Sequence, residues 1–374
     1  MVLTISLCMI VKNEAAVLGR LLDCVDGIFD EIVIADTGST DATPRIAASH
    51  GAAVFSVPWT DDFSAARNAS LEKATGDYLF WLDADDVIDE ENREKLVALK
   101  ENLPPETDMV MLPYAAAFDG AGRPSFVYYR ERLFRNHAGY RFRGFVHECV
   151  EPRGKVIGGD AMIFHKPLES KQKDPRRNLA LYEKHLSRGG RFTAREQYYY
   201  GRELYDNGEN DRAVLALTAF LGRRDGDGAD KAGAARLLYA LYKDVDREKA
   251  LVFLASALVY DAVSPEIFCL LGDERQKDGA IDEAVFWYEA AVGCPPRTGF
   301  TGFTVSGYAD YYPLMQLVVC YERLGLREKA LDCHKRAKAL RPESEEVKFN
   351  EAYFAGDGEK ADTGEAGTAR RPVR

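Results

Sequence analysis

The chain has 374 residues, of which 46% are hydrophobic and 29% charged, and a formal net charge of −11. That length accommodates two domains and the composition is that of a globular protein, while the acidic balance argues against nonspecific nucleic-acid binding, which needs basic surface. Seven cysteines, an odd number with no C-x-x-C pair, give no sign of a disulfide framework or a structural zinc site and fit a reducing compartment. The apolar opening, residues 1–11, lacks a basic lead and runs into Lys12-Asn13-Glu14, so it reads as a first strand and not as a leader. No stretch reaches membrane-spanning length, and a soluble, cytoplasmic protein without an integral membrane segment is expected.

Strand and helix signals alternate at first. A strand over 3–11 precedes a helix over 14–25, and a strand over 31–36 ends in Thr37-Gly38-Ser39-Thr40-Asp41. A helix follows with Pro44 in its first turn, then a third strand over 52–57. Asp62 or Ser64 caps a helix over 65–74, and Gly76 closes it before Tyr78-Leu79-Phe80-Trp81-Leu82. That β-prone apolar run reads as a strand buried on both faces, and it leads straight into Asp83-Ala84-Asp85-Asp86. Strands separated by helices of this length specify βαβ units and a parallel sheet. After Pro104-Pro105, strands over 109–118, 126–134, 144–152 and 161–165 follow without intervening helices, which suggests a mixed sheet or a β-rich extension of the same domain.

From about residue 174 the chain is helical and repeats. Ala213, Ala250, Ala284 and Ala330 each open an apolar helix, at intervals of 37, 34 and 46 residues. Gly208, Gly279 and Gly325 lie five before three of them, and Gly201 and Gly272 lie twelve before two. Seven after them come Phe220, Ala257, Ala291 and Ala337. The pattern resembles tetratricopeptide repeats, with a period of about 34 residues and small residues where paired helices touch. The long interval holds an insertion over 295–306 that maps to a loop on one face, and the tail after 355 has a disordered composition. The expected division is 1–170 (a nucleotide-sugar half, 1–103, and a β-rich acceptor half, 104–170), a repeat domain over 171–355 and a tail over 356–374.

Three strand ends of the first domain carry Lys12-Asn13-Glu14, Asp36 to Asp41, and Asp83 to Asp86. In a parallel sheet all three meet one edge, where open α/β sheets bind ligands. Crowded carboxylates there repel unless a cation lies between them, and a divalent metal holding a phosphate is the usual solution. One acid can also be a helix cap, which leaves Asp83 unexplained.

Met9 to Glu14, Val33 to Asp41, Ala65-Ala66-Arg67-Asn68 and Leu82 to Asp86 resemble the successive motifs of family 2 glycosyltransferases with the GT-A fold. The resemblance implies an α/β, Rossmann-like mixed sheet followed by an all-α tetratricopeptide-like domain. With Trp59 to Asn68, Gly144-Phe145-Val146-His147-Glu148 and the repeats, the layout is similar to bacterial peptide S-glycosyltransferases of glycopeptide bacteriocins.

The resemblance further implies a UDP-sugar donor and Mn²⁺ or Mg²⁺. Val11, Lys12 and Glu14 would lie against the nucleoside, Asp36 would accept from uracil, and Arg67 would brace the pocket. Asp83 and Asp85 would form the D-x-D pair on ribose and metal, Asp86 would contact sugar or metal, and His165 would be a third metal ligand. An inverting transfer needs a general base for the acceptor, for which Glu148 is the choice, with His147 orienting the acceptor or supporting Glu148. Arg132 and Arg135 could reach phosphate or acceptor, although strand charges are more often solvated. A peptide or protein side chain, such as a Cys thiol, is the favoured acceptor and an envelope saccharide the alternative. The repeats would hold the acceptor or a second subunit of a homodimer. An interaction scaffold with a dead transferase domain is the reading from another class.

Overall fold

The computed structural model describes residues 3–168, 174–295, 303–305 and 307–356. The described residues form two compact units, those within 1–226 and 299–304 and those within 227–298 and 305–374. The boundary expected near residue 170 therefore falls inside the first unit. The tail from 357 onward, and 296–302 and 306 of the insertion, lie outside the described residues.

The first unit runs β1 (Ile5–Val11), α1 (Leu18–Cys24), β2 (Glu31–Asp36), α2 (Thr43–Ser49), β3 (Ala53–Ser56), α3 (Phe63–Lys73), β4 (Tyr78–Trp81), β5 (Asp86–Val87), α4 (Glu90–Glu101), β6 (Met109–Phe118), β7 (Pro124–Arg135), β8 (Phe142–Arg143), β9 (Cys149–Val150), β10 (Val156–Gly158) and β11 (Ile163–His165). Helices α5 (Arg177–Ser187), α6 (Ala194–Asp206) and α7 (Asn210–Leu221) complete it, and the insertion contributes the short strand β12 (Phe303–Val305) beside β7.

The sheet order is β3-β2-β1-β4-β7-β6-β11-β5, with β10 also on β6. Strands β1 to β4 are parallel, whereas β7 runs antiparallel to β4 and to β6. A mixed sheet results, as the helix-free stretch after residue 104 suggests. Strand β4 is buried on both faces. Tyr78 and Phe80 join one core with Leu7, Met9 and Leu18, while Leu79 and Trp81 join the other with Leu71, Met109 and Phe134. Trp81 thereby faces α3.

Two local expectations change. Of the strand expected over 144–152 only Cys149–Val150 (β9) pairs, with β8, while 144–148 is a loop, because Gly144 (φ +89) and His147 (φ +53) take left-handed backbone that cannot continue a ladder. The acids after β4 enter β5 and not a helix directly. Asp89 is the residue that caps α4, accepting from the Asn92 amide at 3.0 Å, just as Asp62 caps α3.

The second unit consists of α8 (Gly228–Tyr242), α9 (Arg247–Tyr260), α10 (Pro265–Lys277), α11 (Ile281–Val292), α12 (Tyr311–Arg323), α13 (Arg327–Leu340) and α14 (Glu345–Phe354). The repeat alanines are its contact points. Ala250, Ala257, Ala284, Ala291, Ala330 and Ala337 are all fully buried, as are Ala213 and Phe220 on α7 of the first unit. At Gly272 a Cβ would stand 2.7 Å from the ring of Tyr288, whose hydroxyl donates to Asp273 at 2.7 Å and cannot readily swing away. Gly272→Ala is therefore expected to destabilise the second unit by about 1–3 kcal/mol despite alanine's better helix propensity, read as a lower thermal midpoint. An unchanged midpoint would show that the α10–α11 contact gives way more easily than this packing allows.

Candidate active site

The edge of the sheet gathers the chemistry. Val11 at the end of β1 pairs in register with Asp36 at the end of β2, and Cys8 of β1 lies opposite Trp81 of β4. The segments leaving β1, β2 and β4 accordingly emerge on one side. Asp36 is buried, and its carboxylate accepts from the Ser39 amide at 3.1 Å, which bends the turn back on itself. Asn13 is left-handed (φ +54) and fastened to that turn, donating its amide to Ser39 Oγ at 2.9 Å and accepting from the Thr40 amide at 2.8 Å. The Glu14 amide donates to Thr43 Oγ1 at 2.7 Å. Val11 is buried and Lys12 exposed beside this bracket.

Helix α3 supplies the centre. Arg67 is buried, its NH2 donating to Asp83 Oδ1 at 2.6 Å and its Nε to Glu148 Oε1 at 2.5 Å. One guanidinium thus joins the first acid after β4 to the acid of the 144–148 loop. The next residue, Asn68, exchanges two hydrogen bonds with the backbone of Phe142 (2.9 and 3.0 Å), so consecutive side chains of α3 grip the start and end of the same loop. Burial opposes ionisation of Asp83, but the Arg67, Arg132 and Arg130 guanidiniums outweigh it and hold its carboxyl well below the usual range.

Trp81 organises the cations. The guanidinium carbons of Arg132, Arg67 and Arg130 lie 3.9, 4.6 and 4.6 Å from its ring centre. Arg132 is not solvated as a strand charge would be. It is fully buried, with NH1 3.3 Å from Asp86 Oδ2 and 3.1 Å from the Trp81 carbonyl. Its Nε and NH2 have no hydrogen-bond partner among the described residues, and the indole face takes that place. Arg135 behaves differently: it is partly exposed and pairs with Asp108 at 3.3 Å.

A second cluster forms where β5 meets β11. Asp86 lies directly opposite His165 in the antiparallel register. His165 Nδ1 is 3.6 Å from Asp85 Oδ1 and 3.9 Å from Asp86 Oδ1, and the ligand atoms of all three residues lie within 4.8 Å of one another. Asp86 also accepts from the Tyr114 hydroxyl at 3.0 Å and from the Asp83 amide at 2.9 Å. Two carboxylates and an imidazole are a donor set suited to Mn²⁺ or Mg²⁺, with room left for oxygens of a substrate. Asp83, expected to share the metal, is held by Arg67.

His147 points elsewhere. Its Nε2 meets Glu203 Oε1 of α6 at 2.7 Å, and its ring stacks on Tyr199 at 4.3 Å. Neither side-chain contact involves Glu148. Residues that sequence reasoning passed over are Trp81, Tyr114, Arg130, Asn68 and Glu203. The aromatic placed just ahead of the acids, the Ala65-Ala66-Arg67-Asn68 motif and the charged triplet Arg130-Glu131-Arg132 inside a strand offered signals for Trp81, Asn68 and Arg130, and nothing pointed to Glu203 or Tyr114.

Among the described residues no helix is long and apolar enough to cross a membrane. The family model described as glycosyl transferase family 2 matches residues 6–150. A TPR repeat-containing protein of Synechococcus elongatus is 30% identical over 308 residues, covering 78% of this chain and 66% of that protein. The SPbeta prophage-derived glycosyltransferase SunS of Bacillus subtilis is 29% identical over 224 residues, covering 56% of this chain and 51% of SunS. The chain thus spans about half to two thirds of the length of these curated relatives. Among solved structures, glucosyl-3-phosphoglycerate synthase from Mycobacterium tuberculosis in complex with Mg²⁺ and UDP is 28% identical over 30% of this chain and 43% of that one, with a TM-score of 0.26.

Proposed function

We propose that this chain, which belongs to glycosyl transferase family 2 through residues 6–150, is a metal-dependent inverting enzyme that moves a hexose from a UDP-sugar to a peptide or protein side chain. The observation that carries the reading is the joining of two acids by Arg67: Asp83 on the donor side and Glu148 on the acceptor side. A donor-side carboxylate and a base held by one guanidinium suit a reaction in which the bond to the diphosphate breaks as the acceptor bond forms.

In this reading Asp36 and the Asn13–Thr40 bracket receive the nucleoside. Asp85, Asp86 and His165 would hold the metal, with Asp86 fixed in place by Arg132 and Tyr114. When bound, the metal supplies positive charge against the negative charge that builds on the departing nucleoside diphosphate. Glu148 takes the proton of the acceptor as the new bond to the anomeric carbon forms, and the electron pair of the broken bond leaves with the diphosphate. Its Oε1 is bonded to Arg67, while Oε2 accepts no hydrogen bond among the described residues, which leaves that oxygen for the acceptor. The acceptor class is read from the helical repeats, since stacked helix pairs of this kind offer an extended surface suited to polypeptide.

The test is UDP release from a panel of UDP-hexoses, followed by intact-mass analysis of peptides incubated with the active donor. A hexose adduct on a peptide is expected, and transfer only to saccharides would move the acceptor class. Chelation should stop UDP release, Mn²⁺ or Mg²⁺ should restore it, and Asp85→Asn should lower the rate at least tenfold with a raised metal requirement. An undiminished rate in chelator would remove the metal from the mechanism.

A further inference from the structure

The 144–148 loop is held by helices outside the sheet. Phe145 packs on Tyr182 and His185 of α5, with ring centres 5.0 and 4.7 Å apart. His147 stacks on Tyr199 and bonds to Glu203, both on α6, and its carbonyl accepts from Arg195 NH2 at 3.4 Å. Glu203 is itself buried and accepts a second hydrogen bond, from Asn178 Nδ2 of α5 at 3.0 Å. The start of α6 is fixed by a Thr193–Glu196 capping box. Asp61, another non-glycine residue with left-handed backbone (φ +63), is likewise tied to α5, through Lys184 at 2.7 Å.

Left-handed backbone is unfavourable for a histidine and persists only where surrounding contacts over-determine it. At residue 147 those contacts come from α6. This residue immediately precedes Glu148, so its φ sets the direction in which Glu148 leaves the loop toward Arg67. The imidazole is spent on Glu203 and Tyr199 and not on the reacting groups.

We propose that Glu203 is a positioning residue for Glu148, acting through His147, so that α6 is part of the machinery that presets the general base. The inference rests on the base assignment made above. Of the two roles expected of His147, this is support of Glu148, through the loop backbone, and not orientation of the acceptor.

The experiment measures UDP release from UDP-glucose with Mn²⁺ in the full chain, alongside amide hydrogen exchange. Glu203→Ala is expected to lower kcat about tenfold while the KM for UDP-glucose stays within about twofold, and to speed exchange in 144–148 while α6 remains protected. Glu203→Gln, which keeps the Oε1 acceptor, should recover most of the rate. Should Glu203→Ala fail to fold, His147→Asn serves instead: asparagine accepts left-handed backbone but loses the stack and the reach to Glu203. In the double variant the losses should not multiply, because both changes break one contact. Unchanged kcat and unchanged exchange in 144–148, or a KM that rises in step with the fall in kcat, would overturn the proposal. A wild-type chain that releases UDP from no UDP-hexose fails the functional reading instead, and the exchange measurement still decides whether Glu203 orders the loop.

Discussion

Arg67→Ala is expected to reduce glycosyl transfer by at least a hundredfold and to destabilise the first unit by about 3–5 kcal/mol, the cost of leaving a buried ion pair without one partner. Two effects add at this residue. Asp83 and Glu148 would face one another with their shared cation removed, and the indole of Trp81 would lose one of its three stacked guanidiniums. Arg67→Lys separates charge from geometry. Lysine restores a positive charge but not the planar fork that reaches Asp83 through NH2 and Glu148 through Nε, so stability should recover in part while transfer does not. Urea unfolding and UDP release measure the two properties independently. A wild-type rate in the lysine variant would mean that the fork is not what aligns the two acids.

The second large effect concerns Glu148. Glu148→Gln keeps the side chain's shape and an oxygen to accept from Arg67 Nε, so the corner around Asp83 should stay intact. Removing only the ability to take a proton is expected to lower kcat by about 10²–10⁴, the usual contribution of a positioned base. Affinity for UDP in the presence of Mn²⁺, followed by calorimetry, should not change. A turnover within tenfold of wild type would move the base elsewhere on the acceptor side. The pair of variants is informative together, because Arg67→Ala should alter stability and donor handling whereas Glu148→Gln should alter turnover alone.

The glycine, chelation and Glu203 experiments probe separate links of the same chain of causes. Gly272 concerns helix packing in the second unit. Asp85 and His165 concern the metal corner, and Glu203 concerns the orientation of the base.

Local pattern makes a large part of this protein legible in its sequence. The apolar-run signals located β1, β2 and β4, and the acids after each run had to share an edge once the strands were parallel. The alanine and glycine spacing of the helical part marked buried contact points because close helix packing tolerates only small side chains at fixed offsets. Each of these features depends on residues a few positions apart, or on a repeat of fixed length, and so is written in the sequence itself.

Tertiary structure decided the rest, for reasons of register and burial that local pattern does not carry. His165 meets Asp86 only because β11 pairs antiparallel with β5 across 79 positions. Arg132 looks like any strand charge until Trp81, Tyr114 and Asp86 enclose it. The segment 144–148 has the composition of a strand, yet Gly144 and His147 turn left-handed there, with α3 bonded to the Gly144 carbonyl through Ser64 and with α5 and α6 holding Phe145 and His147 from outside the sheet. Asp83 to Asp86, which reads along the chain as one acidic cluster, is divided in space: Asp83 goes to Arg67, Asp86 to Arg132 and Tyr114, and Asp85 to the side of His165.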